Sequence, residues 1–249
     1  MDTKRNTSKP PCVPRAYWFR IALIVGEHIS FRGNDSDYSG YLATSADGPG
    51  PGIIVIQEWW GLVPHIESIC DRFAMEGFTA LAPDFYRGQK TEEPETAGKL
   101  MMALNIEESE KVLRGAVQSL LEHPSVSKPK AGVVGFCMGG QLALYAASVN
   151  ARIGACVDFY GIHPNVHPPL ENLEAPVLGI FAEFDDYASH SAVSALEARL
   201  SNLGKAHEFH TYPGTQHAFF NDDRPEVYNA EAADDAWNRT LAFFRQHLI

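Results

Sequence analysis

The chain has 249 residues, 45% of them hydrophobic and 20% charged, a composition that excludes disorder, collagen-like repeats and coiled coil. Its formal charge of −11 argues against a general affinity for nucleic acid or an anionic membrane, because both require a basic face. The length suits one α/β domain around a single large core.

Residues 1–24 carry Lys4, Arg5, Lys9, Arg15 and Arg20 against only Asp2, so the rest of the chain is the more acidic part. The apolar run 16–25 is too short to span a bilayer as a helix. Arg20 interrupts it and no small-x-small cleavage site follows, which speaks against a leader peptide. We therefore expect residues 1–25 to be a poorly ordered extension and residues 26–249 to be the folded domain. The segments 27–32 and 38–44 read as strands of a hairpin, turned at Gly33-Asn34-Asp35, and a Gly/Pro-rich loop spans 46–52. The β-branched run 53–56 predicts a strand buried on both faces. Helical spacing follows over 64–76, closed by Gly77, and 78–82 is the next strand. The stretch 94–123 holds one or two helices, with an apolar stripe through Val112, Val117 and Leu121. Beyond it we expect strands at 131–136, 153–159, 176–182 and 207–212, and helices at 138–148, 189–203 and 225–248. Repeated β-α-β units predict a mostly parallel, twisted sheet with helices on both faces.

The stretch that carries chemistry is Gly135-Phe136-Cys137-Met138-Gly139, where a strand runs directly into a helix. This is the G-x-S-x-G elbow with sulfur in place of oxygen. Its glycines allow a tight turn between strand and helix, and the helix N-terminus favours negative charge on the Cys137 sulfur. The backbone N–H of Met138 then points to where an oxyanion would form. An acid follows a later strand in Glu183-Phe184-Asp185-Asp186, and His217 follows the last strand. Both lie where open α/β sheets place their sites, at the C-terminal ends of strands. The order nucleophile, acid, base fits a triad in which Cys137 attacks, His217 moves the proton and Asp185 orients the imidazole.

The remaining candidates are weaker. Cys12, Cys70 and Cys156 are widely spaced without a CxxC pair, which fits a reduced, cytoplasmic setting, and the last two read as small core residues. His163 and His167 lack carboxylate neighbours, while His207 and His210 point to opposite faces of a strand, so no metal site is expected. Asp84 and Asp158 read as structural. No nucleotide or cofactor motif is present, and no cofactor is expected.

Taken together, QEWWG (57–61), APDFY (82–86), GFCMGG (135–140), FYG (159–161), AEFDD (182–186) and YPGTQHAF (212–219) resemble the dienelactone hydrolase family, cysteine-dependent members of the α/β-hydrolase fold. The resemblance covers about residues 26–248. It implies that Cys137 is the nucleophile, His217 the base and Asp185 the triad acid, with Asp186 its adjacent competitor. It further implies that Glu58 contacts the resting thiol until substrate displaces it. Burying such a carboxylate unpaired is costly, so a partner is expected. The Trp59 N–H matches the second oxyanion donor. Trp60 is expected to wall the pocket, and Tyr86, Tyr160 and Phe219 lie in matching motifs and are expected to bind substrate. Family members that hydrolyse dienelactone hold its carboxylate with arginines, one of them four residues after the histidine. That position is Asn221 here, leaving Arg87 or Arg224 to rebuild the clamp, or no clamp at all.

These readings imply a cofactor-independent hydrolase of small esters or lactones, such as an enol-lactone, working through an acyl-thioester as a monomer or dimer. The same triad could instead transfer the acyl group or act broadly on esters. A third reading is a non-catalytic binding protein with Cys137 as a redox sensor.

Overall fold

The computed structural model describes residues 26–33, 36–161 and 163–249. The expected extension over residues 1–25, with Cys12, lies outside the described residues, as do Asn34 and Asp35 of the hairpin turn.

Eight strands form one sheet. They are β1 (Glu27–Gly33), β2 (Ser36–Ala43), β3 (Gly52–Ile56), β4 (Thr79–Pro83), β5 (Ala131–Phe136), β6 (Ile153–Phe159), β7 (Val177–Phe184) and β8 (His207–Gln216). Their spatial order is β1-β2-β4-β3-β5-β6-β7-β8. The β1–β2 and β2–β4 pairings are antiparallel, and every pairing from β4 to β8 is parallel. The helices are α1 (Pro64–Met75), α2 (Pro94–Met102), α3 (Ile106–Glu122), α4 (Met138–Val149), α5 (His190–Asn202) and α6 (Ala230–Leu248).

Strand β3 explains the layering. Side chains alternate along a strand, so Ile53 and Val55 join one apolar cluster and Ile54 and Ile56 the other. The first cluster is closed by α1 and α6, through Ile66, Ile69 and Phe73 on one and Trp237 and Phe244 on the other. The second is closed by α3 and α4, through Leu113, Val117 and Leu142. All five residues of β3 are buried, as expected for a strand covered on both faces. No helix among the described residues is long and apolar enough to cross a membrane.

Several boundaries differ from the sequence expectation, each for a local reason. The stretch 94–123 divides at Asn105, whose side chain accepts the Glu108 N–H at 3.0 Å and starts α3 afresh. The terminal helix begins at Ala230 rather than residue 225, because Asn229 caps it by accepting the Ala232 N–H. Strand β8 runs on to Gln216 through Pro213 and Gly214. It is an edge strand, where a proline is tolerated, and its pairing with β7 is irregular there.

Candidate active site

Strand β5 delivers Cys137 to the C-terminal edge of the sheet, and α4 begins at the next residue. Cys137 has φ +56°, a conformation that a side-chain-bearing residue rarely adopts. The turn is held by the Cys137 N–H, which donates to the Phe159 carbonyl at 3.0 Å, and by the Gly140 N–H, which donates to the Cys137 carbonyl. A methyl group at Gly139 would sit 2.5 Å from the Gln57 carbonyl oxygen, and one at Gly135 would collide with the Gly139 carbonyl. The glycines therefore let α4 start directly against β3 and β5.

The loop after β7 supplies Asp185, whose side chain is buried. Its Oδ1 accepts the N–H groups of Tyr187 and Ala188 at 2.8 and 2.9 Å, and its Oδ2 accepts His217 Nδ1–H at 2.7 Å. Asp186, by contrast, is exposed. The Cys137 sulfur also acts on His217, favouring its protonated form. Asp185 occupies Nδ1, which leaves Nε2 as the ring nitrogen available to Cys137. Burial opposes protonation of His217, yet the hydrogen bond to Asp185, the Cys137 sulfur and the negative charge of both outweigh it and raise its pKa to about 10.

Glu58 stands at the exit of β3, 1% exposed. Its Oε2 accepts Asn221 Nδ2–H at 2.7 Å, while its Oε1 has no hydrogen-bond partner among the described residues. The Tyr160 hydroxyl is likewise buried and unpartnered. Burial, then the charges of Glu58, Cys137 and Asp185, push that phenol well up and keep it protonated. The Tyr160 ring lies 5.0 Å from that of His217.

Glu58, Trp59, Trp60, Cys137, His217 and Arg224 open into one cavity of about 610 Å³, joined by Phe184, Asp186 and Tyr187. Not all the expected binding residues reach it. Arg87 lines a separate cleft with Tyr38 and Leu104, lies 3.8 Å from Glu108 and faces the Tyr38 ring, so it is no clamp for this cavity. Tyr86 is buried with its hydroxyl 3.2 Å from the Met138 sulfur, beneath the elbow. Phe219 is fully buried, packed against Tyr160 and Tyr212. Both shape the site from beneath and do not line the cavity. Phe184 and Tyr187 were not singled out in the sequence as cavity residues. Asn221 was visible only as a missing arginine, not as the partner that Glu58 required.

His163 is a structural pin: its Nε2 pairs with the Met101 carbonyl, and its Nδ1 accepts the Asn165 N–H. Among the described residues, no group of three or more His, Cys, Asp or Glu is placed to hold a metal ion.

A mostly parallel sheet covered on both faces, with a Gly-x-Cys-x-Gly elbow and an acid and a histidine on later strand ends, is the α/β-hydrolase fold. The chain belongs to the dienelactone hydrolase family, whose sequence profile matches residues 38–248. It is 39% identical to "Protein usf" of Aquifex pyrophilus over 231 residues, covering 90% of this chain and all of that one. It is 34% identical to a protein of Aquifex aeolicus named "Putative carboxymethylenebutenolidase", with the same coverage. A crystal structure described as "Putative Dienelactone Hydrolase from Klebsiella pneumoniae" superposes with a TM-score of 0.80 at 29% identity, covering 90% of this chain and 99% of the other.

Proposed function

We propose that the protein hydrolyses small esters or lactones through a Cys137–His217–Asp185 triad and an acyl-thioester on Cys137. The observation that carries this reading is the buried Asp185–His217 hydrogen bond, with His217 and Cys137 opening into one cavity. His217 holds the thiol proton while the sulfur attacks the substrate carbonyl carbon. The carbonyl electron pair moves onto oxygen, which the N–H groups of Trp59 and Met138 receive. Collapse of this adduct breaks the ester C–O bond. The leaving oxygen takes the proton from His217, and the acyl group stays on sulfur. Water then gives a proton to the neutral His217 and attacks the thioester carbonyl. The C–S bond breaks, the acid departs, and the sulfur and protonated His217 are restored. Asp185 keeps the imidazole in the tautomer this exchange needs.

The described cysteines Cys70, Cys137 and Cys156 are free thiols. A thiol nucleophile suits a reducing compartment such as the cytoplasm. The decisive experiment is phenyl acetate turnover by wild type and Cys137→Ala, with mass spectrometry of the quenched wild type. The expected result is an acetyl adduct on Cys137 and loss of turnover in a variant with unchanged circular dichroism. Turnover that survives Cys137→Ala would overturn the proposal.

A further inference from the structure

The cavity beside Cys137 is aromatic at its walls and acidic in its balance. Trp59 and Trp60 meet edge to face with centroids 5.0 Å apart. Trp59 meets Tyr187 at 6.3 Å, and Tyr187 meets His217 at 4.9 Å. Phe184 and Tyr187 line the same space and are 62% and 56% exposed. Two large rings held open to water beside a reactive group are an apolar surface waiting for a planar apolar partner.

The charges point the same way. Among the described residues, the charged groups lining the cavity, apart from Cys137 and His217, are Glu58, Asp186 and Arg224. Arg224 is already engaged. Its Nε–H donates to Glu226 Oε1 at 2.9 Å, its Nη2 lies 2.8 Å from the same oxygen, and its guanidinium lies 5.8 Å from the Trp60 ring centre. Glu58 is bonded by a neutral amide, Asn221, which brings no positive charge to the site. The charge on His217 is paired with Asp185. An incoming carboxylate would therefore meet Glu58 and Asp186 and would find the charge of Arg224 already countered by Glu226.

We propose that the substrate is a neutral ester carrying an aromatic or similarly planar apolar group, seated on Trp59, Trp60 and Tyr187, and that Glu226 masks Arg224 and so excludes carboxylate-bearing substrates. This rests on the hydrolase reading above and adds the substrate class. Arg224 and Glu226 are specificity-determining here, not part of the chemical step.

The test uses two matched esters, 4-carbamoylphenyl acetate, which is neutral, and 4-carboxyphenyl acetate, with each rate divided by that of hydroxide hydrolysis. Wild type is expected to favour the neutral ester in kcat/KM by about tenfold or more. Glu226→Gln, which frees Arg224, should narrow the ratio at least about threefold, and Arg224→Ala in that background should restore it. Trp60→Ala should raise KM for the neutral ester about three- to tenfold with a smaller change in kcat, as expected for lost ring contact. Equal or better use of the carboxylate ester by wild type would overturn the proposal, as would a ratio unmoved by Glu226→Gln. Absence of turnover with both esters would defeat the hydrolase reading instead. In that case calorimetric titration of the two esters into Cys137→Ala still decides the selectivity, and tighter binding of the carboxylate ester would overturn it.

Discussion

Asn221 donates its side-chain N–H to Glu58 across 2.7 Å of buried interior, joining the exit of β3 to the turn that follows His217. A neutral amide is thereby the hydrogen-bonded partner of a carboxylate that is 1% exposed. Both ends of the link lie beside the proposed chemistry, so it ties the oxyanion side of the site to the histidine side. Replacing Asn221 by Leu leaves Glu58 Oε2 buried without a partner. The expected cost is about 1–3 kcal/mol of stability, measured by urea denaturation. The double variant Asn221→Leu/Glu58→Gln should recover part of that loss, because the unpaired charge is gone.

The two adjacent aspartates make unequal predictions. Asp185 is buried and bonded to His217 and to two backbone N–H groups, whereas Asp186 is exposed. Asp185→Asn should lower kcat for phenyl acetate by a factor of about 10³–10⁴, as loss of tautomer control does in triads. Asp186→Asn should stay within about threefold, since surface changes seldom exceed ±0.5 kcal/mol. Steady-state kinetics on the two variants checks both.

His217 should titrate far from an ordinary histidine. Burial lowers its pKa, but Asp185 and Cys137 reverse that and lift it to about 10. In nuclear magnetic resonance its ring should stay protonated through pH 8. With Asp185→Asn the strongest raising contact is lost, and the midpoint should move towards 6.5.

Asp158 should make stability depend on pH. It lies on β6 behind the elbow, fully buried, and substituting Gly140 or Gly161 would bring a methyl group against its Oδ1. Burial pushes its pKa up to about 7, with the Gly161 N–H pulling only partly the other way. The folded protein therefore binds this proton more tightly than the unfolded chain. The stability it supplies is complete below about pH 3.8 and is lost as pH rises through 7. Asp158→Asn keeps the shape without the charge, so it should stabilise at pH 8 by up to about 4 kcal/mol and by almost nothing at pH 4. Thermal melts of both proteins at the two pH values measure this.

Gly139 is a spacer between α4 and β3. A methyl group there would lie 2.5 Å from the Gln57 oxygen and 2.6 Å from that of Ile56, both of them backbone atoms that cannot swing away. Gly139→Ala should destabilise by about 1–3 kcal/mol. It should also lower kcat more than it raises KM, because it moves the Met138 N–H relative to that of Trp59.

The alternation of β-branched runs with helical stripes was sufficient to read the strands, their mostly parallel pairing and the helices on both faces. Those signals are local: a buried strand needs Ile and Val in succession, and a covering helix needs an apolar face. The Gly-x-Cys-x-Gly turn was equally legible, because its steric demands fall on consecutive residues. Element ends were less so, since Asn105 and Asn229 act as caps through side-chain hydrogen bonds that composition alone does not locate.

What remained undecided in the sequence were pairings between residues far apart in the chain. Asp185 and Asp186 are chemically identical neighbours, and only the fold of the loop after β7 turns one inward to His217 and the other to solvent. Arg87 and Arg224 were equal candidates for a clamp until the packing of α3 carried one to Glu108 and the turn before α6 placed the other beside Glu226. The partner of Glu58 lies 163 residues further on, at Asn221. Local chemistry thus determined the Gly-x-Cys-x-Gly elbow and the architecture that presents it. The tertiary fold decided the electrostatics around Cys137, because charge acts through space and the sequence orders residues only along the chain.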